Sequence, residues 1–456
     1  MRTNDMRIER VDFNTQDQDY RTPIKFGGTA VNKATILTVS IHAKLPDGKG
    51  ATGWGSMPLG NVWSFPSKTL NYAQTLEGLR LCAALCAKTW RNQNDWGHPM
   101  EIGHQVDKSL AAIANKATET LELPEPIPVL AAMVANSAFD AALHDAYGKL
   151  HEKSTWKCYG PEYLPSDLSL FLGGGFEGER LENHTMTKPA PSLPLYHLVG
   201  ALDPLGKSDL RTPVKDGFPE TLEEWIPFNG LTHLKIKLNG EDIGWDVQRV
   251  LNVESITAKA QKALGIKSWH YSLDFNEKCP SVEALLEFLA KLKERGPAAY
   301  ARVAYIEQPT KRDLKADKAN RMHKVSELIP VVIDESLVNL ETLMLAREMG
   351  YTGAALKACK GQTQSLLMAA AARKWCMFLC VQDLTCPGMS LVQSASLASH
   401  IQGVSALEAN ARQYMPLANR EWEAAHPGLF IIKDGLVRTS SLIGPGLCTE
   451  PPNQTN

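Results

Sequence analysis

Val303-Ala304-Tyr305-Ile306-Glu307-Gln308-Pro309 and Val331-Val332-Ile333-Asp334-Glu335-Ser336 are the two stretches that decide the fold. Each is a short apolar, β-branched run that stops on a carboxylate, the pattern of a buried parallel strand delivering an acidic side chain at its C-terminal end. The pattern recurs on either side of them. Leu231 to Leu238 carries Leu234-Lys235-Ile236-Lys237, and Trp269 to Phe275 runs into Leu273-Asp274-Phe275-Asn276. Gly353 to Leu356 is followed by Lys357, Lys360 and Gly361. With Leu195 to Gly200, Met377 to Val381 and Val404 to Leu407, eight strand candidates alternate with helical stretches at intervals of roughly 25 to 35 residues, which predicts a parallel-stranded barrel. An open doubly wound sheet is the alternative, but no Gly-rich phosphate loop follows a first strand.

The N-terminal section reads differently. Ile8 to Phe13 and Ala34 to Ala43 are strand-like, and Asp47-Gly48-Lys49-Gly50 is a turn able to close a hairpin. Between the strands, Tyr20 to Gly28 is rich in turn formers and is expected as a loop. Arg21 to Gly28 is expected to act as a lid over the barrel mouth, with Gly27-Gly28 as hinge and Phe26 as the water shield. Apolar residues recur at helical spacing from Ser67 to Arg91, Val106 to Leu121 and Val129 to Leu150. The expected division is an α+β domain over residues 1–150, a linker or insertion over 151–192, a barrel over 193–415, and a C-terminal segment over 416–456. Tyr159 to Pro191, rich in Pro, Gly and charge, is long for a connection and has no assigned structure. Phe430 to Val437 reads as a small hairpin around Lys433-Asp434-Gly435.

Bulk properties narrow the function classes. A chain of 456 residues, 44% hydrophobic, can bury more than one core, and a formal net charge of -2 gives no reason to expect nucleic acid or an anionic membrane as partner. Met1 to Tyr20 holds no apolar stretch of signal-peptide type, and no run of about 18 apolar residues exists to span a bilayer. The nine cysteines are odd in number and scattered, which fits reduced thiols and a cytoplasmic location. Cys82 with Cys86, and Cys376 with Cys380, lack the His or second pair that a zinc site needs and read as core packing.

The strand ends carry the chemistry. Any single one has an ordinary explanation, a solvated Lys-x-Lys or a carboxylate capping the next helix. Five successive ends supplying Lys, Asp, Glu, Asp and Lys converge on one mouth of one barrel. Three facing carboxylates repel unless a cation lies between them, and an all-oxygen set points to Mg²⁺, with Mn²⁺ as the alternative.

The run Lys235-x-Lys237, Asp274-x-Asn276, Glu307-Gln308-Pro309, Asp334-Glu335-Ser336, Lys357 resembles the enolase superfamily, nearest the muconate-lactonizing-enzyme-like subgroup of the mandelate racemase/muconate lactonizing enzyme family. Residues 1–150 resemble its capping domain, and Ala138 to Lys149 the helix before the barrel. The resemblance implies a modified (β/α)₇β TIM-type barrel closed by an α+β cap. It also implies metal ligands at Asp274, Glu307 and Asp334, a general base or acid at Lys237, and a second lysine on the opposite face at Lys357. Lys235, on the same strand face as Lys237, would contact the substrate carboxylate and depress the Lys237 pKa. Asn276 and Gln308 would support these groups rather than react. The implied activity is removal of the proton beside a small-molecule carboxylate through an enediolate, as racemase or epimerase, or as syn-dehydratase or cycloisomerase, in a homo-oligomer. Lysine bases with Mg²⁺ are a documented arrangement for such chemistry.

Departures from the family pattern narrow the choice. Val381-Gln382-Asp383-Leu384-Thr385 carries no His, so the His–Asp base of the mandelate-racemase-like branch is absent, and His400 lies too far on to replace it. Leu407-Glu408-Ala409-Asn410 lacks the Asp-x-Asp of a dipeptide epimerase, which argues against dipeptide substrates. Asp383, Thr385 and Glu408 are placed equally well to touch substrate or to cap. Two other classes compete: a silent barrel kept for binding, which has no need of five intact strand ends, and an aldolase with Lys237 or Lys357 as Schiff base, which leaves the carboxylates unexplained.

Overall fold

The computed structural model describes residues 1–26, 29–316 and 318–452. Two sheets organise the chain. The first is antiparallel, in the order β1 (Arg7–Phe26), β2 (Thr29–Lys44), β3 (Gly50–Pro58). The second holds β4 (Ser192–Val199), β5 (His233–Lys237), β6 (His270–Asp274), β7 (Val303–Glu307), β8 (Val331–Ile333), β9 (Gly353–Leu356), β10 (Phe378–Val381) and β11 (Val404–Glu408). These pair in parallel in chain order, and β11 returns to β4 through Leu407 and Glu408, closing an eight-stranded barrel. The strand candidates of the sequence therefore coincide with the barrel strands, and the capped TIM-type barrel is the fold.

The barrel floor is filled, not hollow. Tyr196, Tyr305, Val332, Ala355, Cys380 and Ala406, from six different strands, form one buried cluster inside it. Because side chains on a strand alternate faces, the residues two positions further on point into the mouth. That places Leu198 above Tyr196, Glu307 above Tyr305, and Glu408 above Ala406.

The cap is joined to the barrel by the helix Val129–Leu150, of whose residues nearly all are buried. A helix buried all round belongs between two layers. On one side it lies against β3, where Gly53 and Gly55 permit the approach: a Cβ on either would fall 2.1 Å from the Ala142 or Ala138 carbonyl oxygen. On the other side it meets the turn that follows β9.

Two expectations need correction in detail, and one unassigned segment gains a structure. Tyr20 to Phe26, expected as loop, is the end of β1; the pairing register jumps from Asp19↔Lys33 to Ile24↔Val31, so Tyr20-Arg21-Thr22-Pro23 bulges out of the ladder. The hinge expected at Gly27-Gly28 and the shield expected of the Phe26 side chain lie outside the described residues. Lys433 bridges Leu436 as a tight turn, but β12 (Leu436–Arg438) pairs antiparallel with the start of β4, not with Phe430. Tyr159 to Pro191 forms short turns laid against the barrel helices, with Lys374 bonded to Glu179 and the Met186 and Ala190 amides donating to the His400 and Ser399 carbonyls.

The bulge docks on the barrel rim. Ile24 packs with Leu198 and Tyr414. Arg21 donates from Nε and a terminal nitrogen to both Asp216 oxygens at 2.6 Å, and to the Pro219 carbonyl at 3.1 Å. A bidentate, half-desolvated pair of this kind contributes about 1 kcal/mol, a factor of about 5 in the local opening equilibrium. Asp216→Ala should therefore speed amide hydrogen exchange over Asp19–Ile24 several-fold and leave β3 unchanged. Equal protection in both proteins would show that the apolar contacts alone hold the bulge. Among the described residues no helix is long and apolar enough to cross a membrane, and all nine cysteines are free.

Candidate active site

Ten ionisable side chains are buried at the C-terminal mouth of the barrel: Lys235, Lys237, Asp274, Glu307, Asp334, Glu335, Lys357, Lys360, Asp383 and Glu408. All six catalytic and metal-ligand positions singled out in the sequence are among them. The centre is Lys235. Its ammonium donates to Glu307 Oε1 at 2.8 Å, Gln382 Oε1 at 2.8 Å and Glu408 Oε2 at 3.2 Å, and lies 3.1 Å from Asp274 Oδ2. Burial opposes that charge, but Glu307, Glu408 and Asp274 outweigh it and hold the lysine well above its ordinary pKa.

Lys237 and Lys357 stand apart. Lys237 Nζ is 2.5 Å from Asp274 Oδ2, and Lys357 Nζ is 2.7 Å from Asp334 Oδ2. Lys360, which follows one turn later, donates to the Asp334 carbonyl at 2.6 Å and to its Oδ1 at 3.2 Å. Burial pushes the Asp274 and Asp334 carboxyls up, yet the lysines against each prevail and leave both below the usual range. Glu307 goes the other way: burial, with Asp274 and Asp334 nearby, drives it well above the carboxylate range against the pull of Lys235.

The backbone is bent to make this arrangement. Asn276, Glu277, Gln308 and Thr385, each just past a strand end, have φ between 30° and 65°, a costly region for residues other than glycine. The Gln308 amide oxygen accepts from the Asp334 and Ser336 amides at 3.0 and 3.3 Å, and the Asn276 amide donates to Asp274 Oδ1 at 2.8 Å. The Gln308 side chain thus braces the main chain that carries Asp334, and the Asn276 main chain, not its side chain, holds Asp274 Oδ1. Asp383 accepts from the Leu384, Cys386 and Asn410 amides and is a cap. His400 stacks on Trp156 at 4.5 Å, among helices outside this cluster.

Several participants were not foreseen. Trp63, from the cap, donates from its indole nitrogen to Glu335 Oε1 at 2.9 Å, and its ring lies 4.1 Å from the Lys357 ammonium. Burial and the neighbouring Asp334 push Glu335 up to about 7. Gln382 joins Lys235 to the Tyr305 hydroxyl, 2.7 Å away. A contact between Trp63 and a residue 272 positions on leaves no periodic signal in the sequence.

Whether these residues suit a divalent cation can be judged from the donors. No three carboxylate, His or Cys side chains among the described residues already close on one point as a cage: ammonium groups occupy the space between Asp274 and Glu307 and both oxygens of Asp334. The donor chemistry nevertheless fits. Asp274, Glu307 and Asp334 present only carboxylate oxygens, the donor type that a hard divalent cation takes, and the buried Glu307 Oε2 has no hydrogen-bond partner. The mouth itself encloses only about 10 Å³, lined by Trp63, Leu198, Lys237, Lys357 and Asn410 among others, room for no more than one water. A cavity of about 650 Å³ lies beside it on the rim, between Arg21-Thr22-Pro23, Leu198 and Tyr414.

The comparisons with known proteins agree with this architecture. The family profile described as enolase C-terminal domain-like matches residues 218–455. No curated protein sequence matches the chain. Among solved structures, the substrate-liganded L-Ala-D/L-Glu epimerase from Bacillus subtilis is 15% identical, with a TM-score of 0.65 over 97% of this chain and 98% of that one. An enolase from Bradyrhizobium complexed with magnesium and mandelic acid is 16% identical, with a TM-score of 0.60 over 98% and 96%. The muconate lactonizing enzyme from Pseudomonas fluorescens complexed with muconolactone is 15% identical, with a TM-score of 0.59 over 98% and 96%. At such identities the likeness is one of fold.

Proposed function

The chain belongs to the enolase C-terminal domain-like family of the enolase superfamily, and from that premise we propose that it is an enzyme that removes and returns the proton alpha to a substrate carboxylate, as a racemase or epimerase. The observation that carries this reading is the placement of the lysines. Lys237 ends β5 and Lys357 follows β9, four strands apart in a closed barrel of eight, so they stand on opposite sides of the mouth. Asp274, Glu307 and Asp334 come from the three strands between them.

In this reading Asp274, Glu307 and Asp334 hold Mg²⁺. When bound, that ion supplies positive charge to the substrate carboxylate as the enediolate develops. Lys235, tied to Glu307 and Glu408, offers a fixed cation toward the same carboxylate. Lys237 takes the proton on one face, and Lys357 delivers it on the other. For that direction Lys237 must be the neutral amine, released from its ion pair with Asp274, and Lys357 the ammonium; the reverse direction exchanges the two states. In this reading the barrel strands carry the chemistry, and the N-terminal α+β layer, which brings Trp63 to the mouth, is the cap that excludes water.

A second reading is a syn-dehydratase or cycloisomerase, in which Lys357 remains a cation throughout. The Trp63 ring over Lys357 and the raised pKa given by Asp334, against burial, favour it. The test is a panel of acid sugars and N-acylamino acids incubated with enzyme and Mg²⁺ in D₂O. Alpha-proton exchange with loss of optical rotation is expected for at least one acid. Elimination or lactone formation without racemisation would select the second reading, and trapping by borohydride would overturn both in favour of a Schiff base.

A further inference from the structure

A buried polar network on the cap-to-barrel helix Val129–Leu150 is not used by the chemistry above. Asp140, fully buried on that helix, reaches the start of the helix Gln362–Lys374 in the barrel. Its Oδ2 accepts from the Thr363 amide at 2.7 Å and its Oδ1 from the Thr363 hydroxyl at 2.7 Å. The amide of Gln362 also donates to it.

These bonds meet a need of the barrel helix. The first N–H groups of any helix lack partners within it. Here the N-cap is Gly361, at φ 96°, which has no side chain to supply one. A Cβ on Gly361 would come within 3.1 Å of Asp140 Oδ2, so the glycine both allows the left-handed backbone and admits the carboxylate. Asp140 thus caps in trans a helix that cannot cap itself.

The capped turn carries two active-site lysines. Lys357, Ala358, Cys359 and Lys360 lead directly into Gly361. The Lys357 carbonyl accepts from the Ser365 hydroxyl at 2.9 Å, and the Ser365 amide donates to the Gly361 carbonyl at 3.0 Å. Turn and helix start are one unit, and Asp140 is its anchor in the other layer.

The remaining bonds of the network set its polarity. The Thr363 hydroxyl donates to Asp140, so it accepts from His144 Nε2 at 2.9 Å; His144 Nδ1 then accepts from the Tyr159 hydroxyl at 2.9 Å. The Tyr159 hydroxyl in turn accepts from Gln362 Nε2 at 3.4 Å. Only a neutral His144 fits, and burial lowers its pKa to about 3.

We propose that Asp140 is a positioning residue of the active site, which fixes the Lys357–Lys360 turn, and with it the Lys357 side of the barrel mouth, from the cap-to-barrel helix. The consequence for catalysis rests on the two-lysine reading above; the consequence for position does not. Asp140→Ala removes every acceptor. Asp140→Asn keeps the shape and one oxygen for the Thr363 amide, and the hydroxyl–imidazole chain can reverse to meet the new NH₂ group.

Two measurements test it. In crystal structures, Asp140→Ala is expected to shift the 357–361 turn and lengthen Lys357 Nζ to Asp334 Oδ2, with Lys237 and Asp274 unmoved, and Asp140→Asn to restore the turn. An unmoved turn in Asp140→Ala overturns the proposal whatever the enzyme's reaction. In D₂O, with an enantiomeric or epimeric pair of acids that the wild type exchanges, Asp140→Ala should lose exchange by about 100-fold for the isomer served by Lys357, a loss of the size that misplacement by about 1 Å brings. The isomer served by Lys237 should change by less than about threefold, since additivity holds for sites that share no partner. Equal losses for both isomers would mark a role in folding alone and overturn the proposal. If the wild type exchanges neither isomer of any pair, the catalytic reading fails, and the crystal structures still decide the positioning.

Discussion

Glu307→Gln is expected to abolish metal-dependent turnover, by about 10³-fold or more, with the fold unchanged by circular dichroism. The substitution is nearly isosteric, and its remaining amide oxygen can still accept from Lys235, so the hydrogen bond at the centre of the mouth survives. What is lost is an oxygen donor that can ionise. Glu307 is the proposed ligand with a free oxygen: Oε1 serves Lys235, and the buried Oε2 serves nothing. Asp274 and Asp334, in contrast, have their oxygens engaged by lysines and amides. The amide NH₂ cannot ligate a cation, and the variant cannot ionise to balance one. Calorimetry should show Mg²⁺ affinity falling by at least tenfold, about 1.4 kcal/mol, independently of any substrate. Unaltered Mg²⁺ binding by Glu307→Gln, or full wild-type activity in excess chelator, would refute the assignment.

The sequence was legible where chemistry and period coincide. A barrel strand is a short apolar run, and its C-terminal residue faces the mouth, so Lys237, Asp274, Glu307 and Asp334 could be placed by counting along β5 to β8. Legibility failed where a side chain acts across the chain. Nothing near Trp63 says that it will cover Lys357, and nothing near Asp140 says that it will cap a helix that starts at Gln362; both contacts exist only because the cap folds onto the barrel. The stretch from Tyr20 to Phe26 failed for another reason. Its Pro23 and neighbouring turn formers predict a loop, but docking on Leu198, Tyr414 and Asp216 holds them as a bulge at the end of a strand. Tertiary contact overrode local preference there. The lysines show a third limit: the sequence sets carboxylates facing one another, whereas the folded mouth sets an ammonium against Asp274, Glu307 and Asp334.

Lys237→Ala and Lys357→Ala are expected to lose opposite halves of the same reaction. With the lysines on β5 and after β9, a substrate lying between them presents its alpha proton to Lys237 in one configuration and to Lys357 in the other. Proton transfer needs the base within hydrogen-bond reach, and removing a general base costs about 10² to 10⁴ in rate. In D₂O, Lys237→Ala should therefore stop exchange from one stereoisomer and retain it from the other, Lys357→Ala should give the mirror result, and both should lose interconversion. A syn-dehydratase or cycloisomerase gives an unequal pair instead. There, the substitution of the single base stops exchange outright, while the substitution of the other lysine removes a cation near the developing charge and slows turnover by roughly 10²-fold without changing which proton is lost. Trp63→Phe sharpens the distinction. It keeps an aromatic face over Lys357 but deletes the bond to Glu335, so a lysine that serves only as a cation should tolerate it, whereas one that must shed its proton should show a shifted pH–rate profile for the Lys357 isomer alone. Full interconversion by both lysine variants would show that neither residue carries the proton, and the assignment of bases across this barrel would then be wrong.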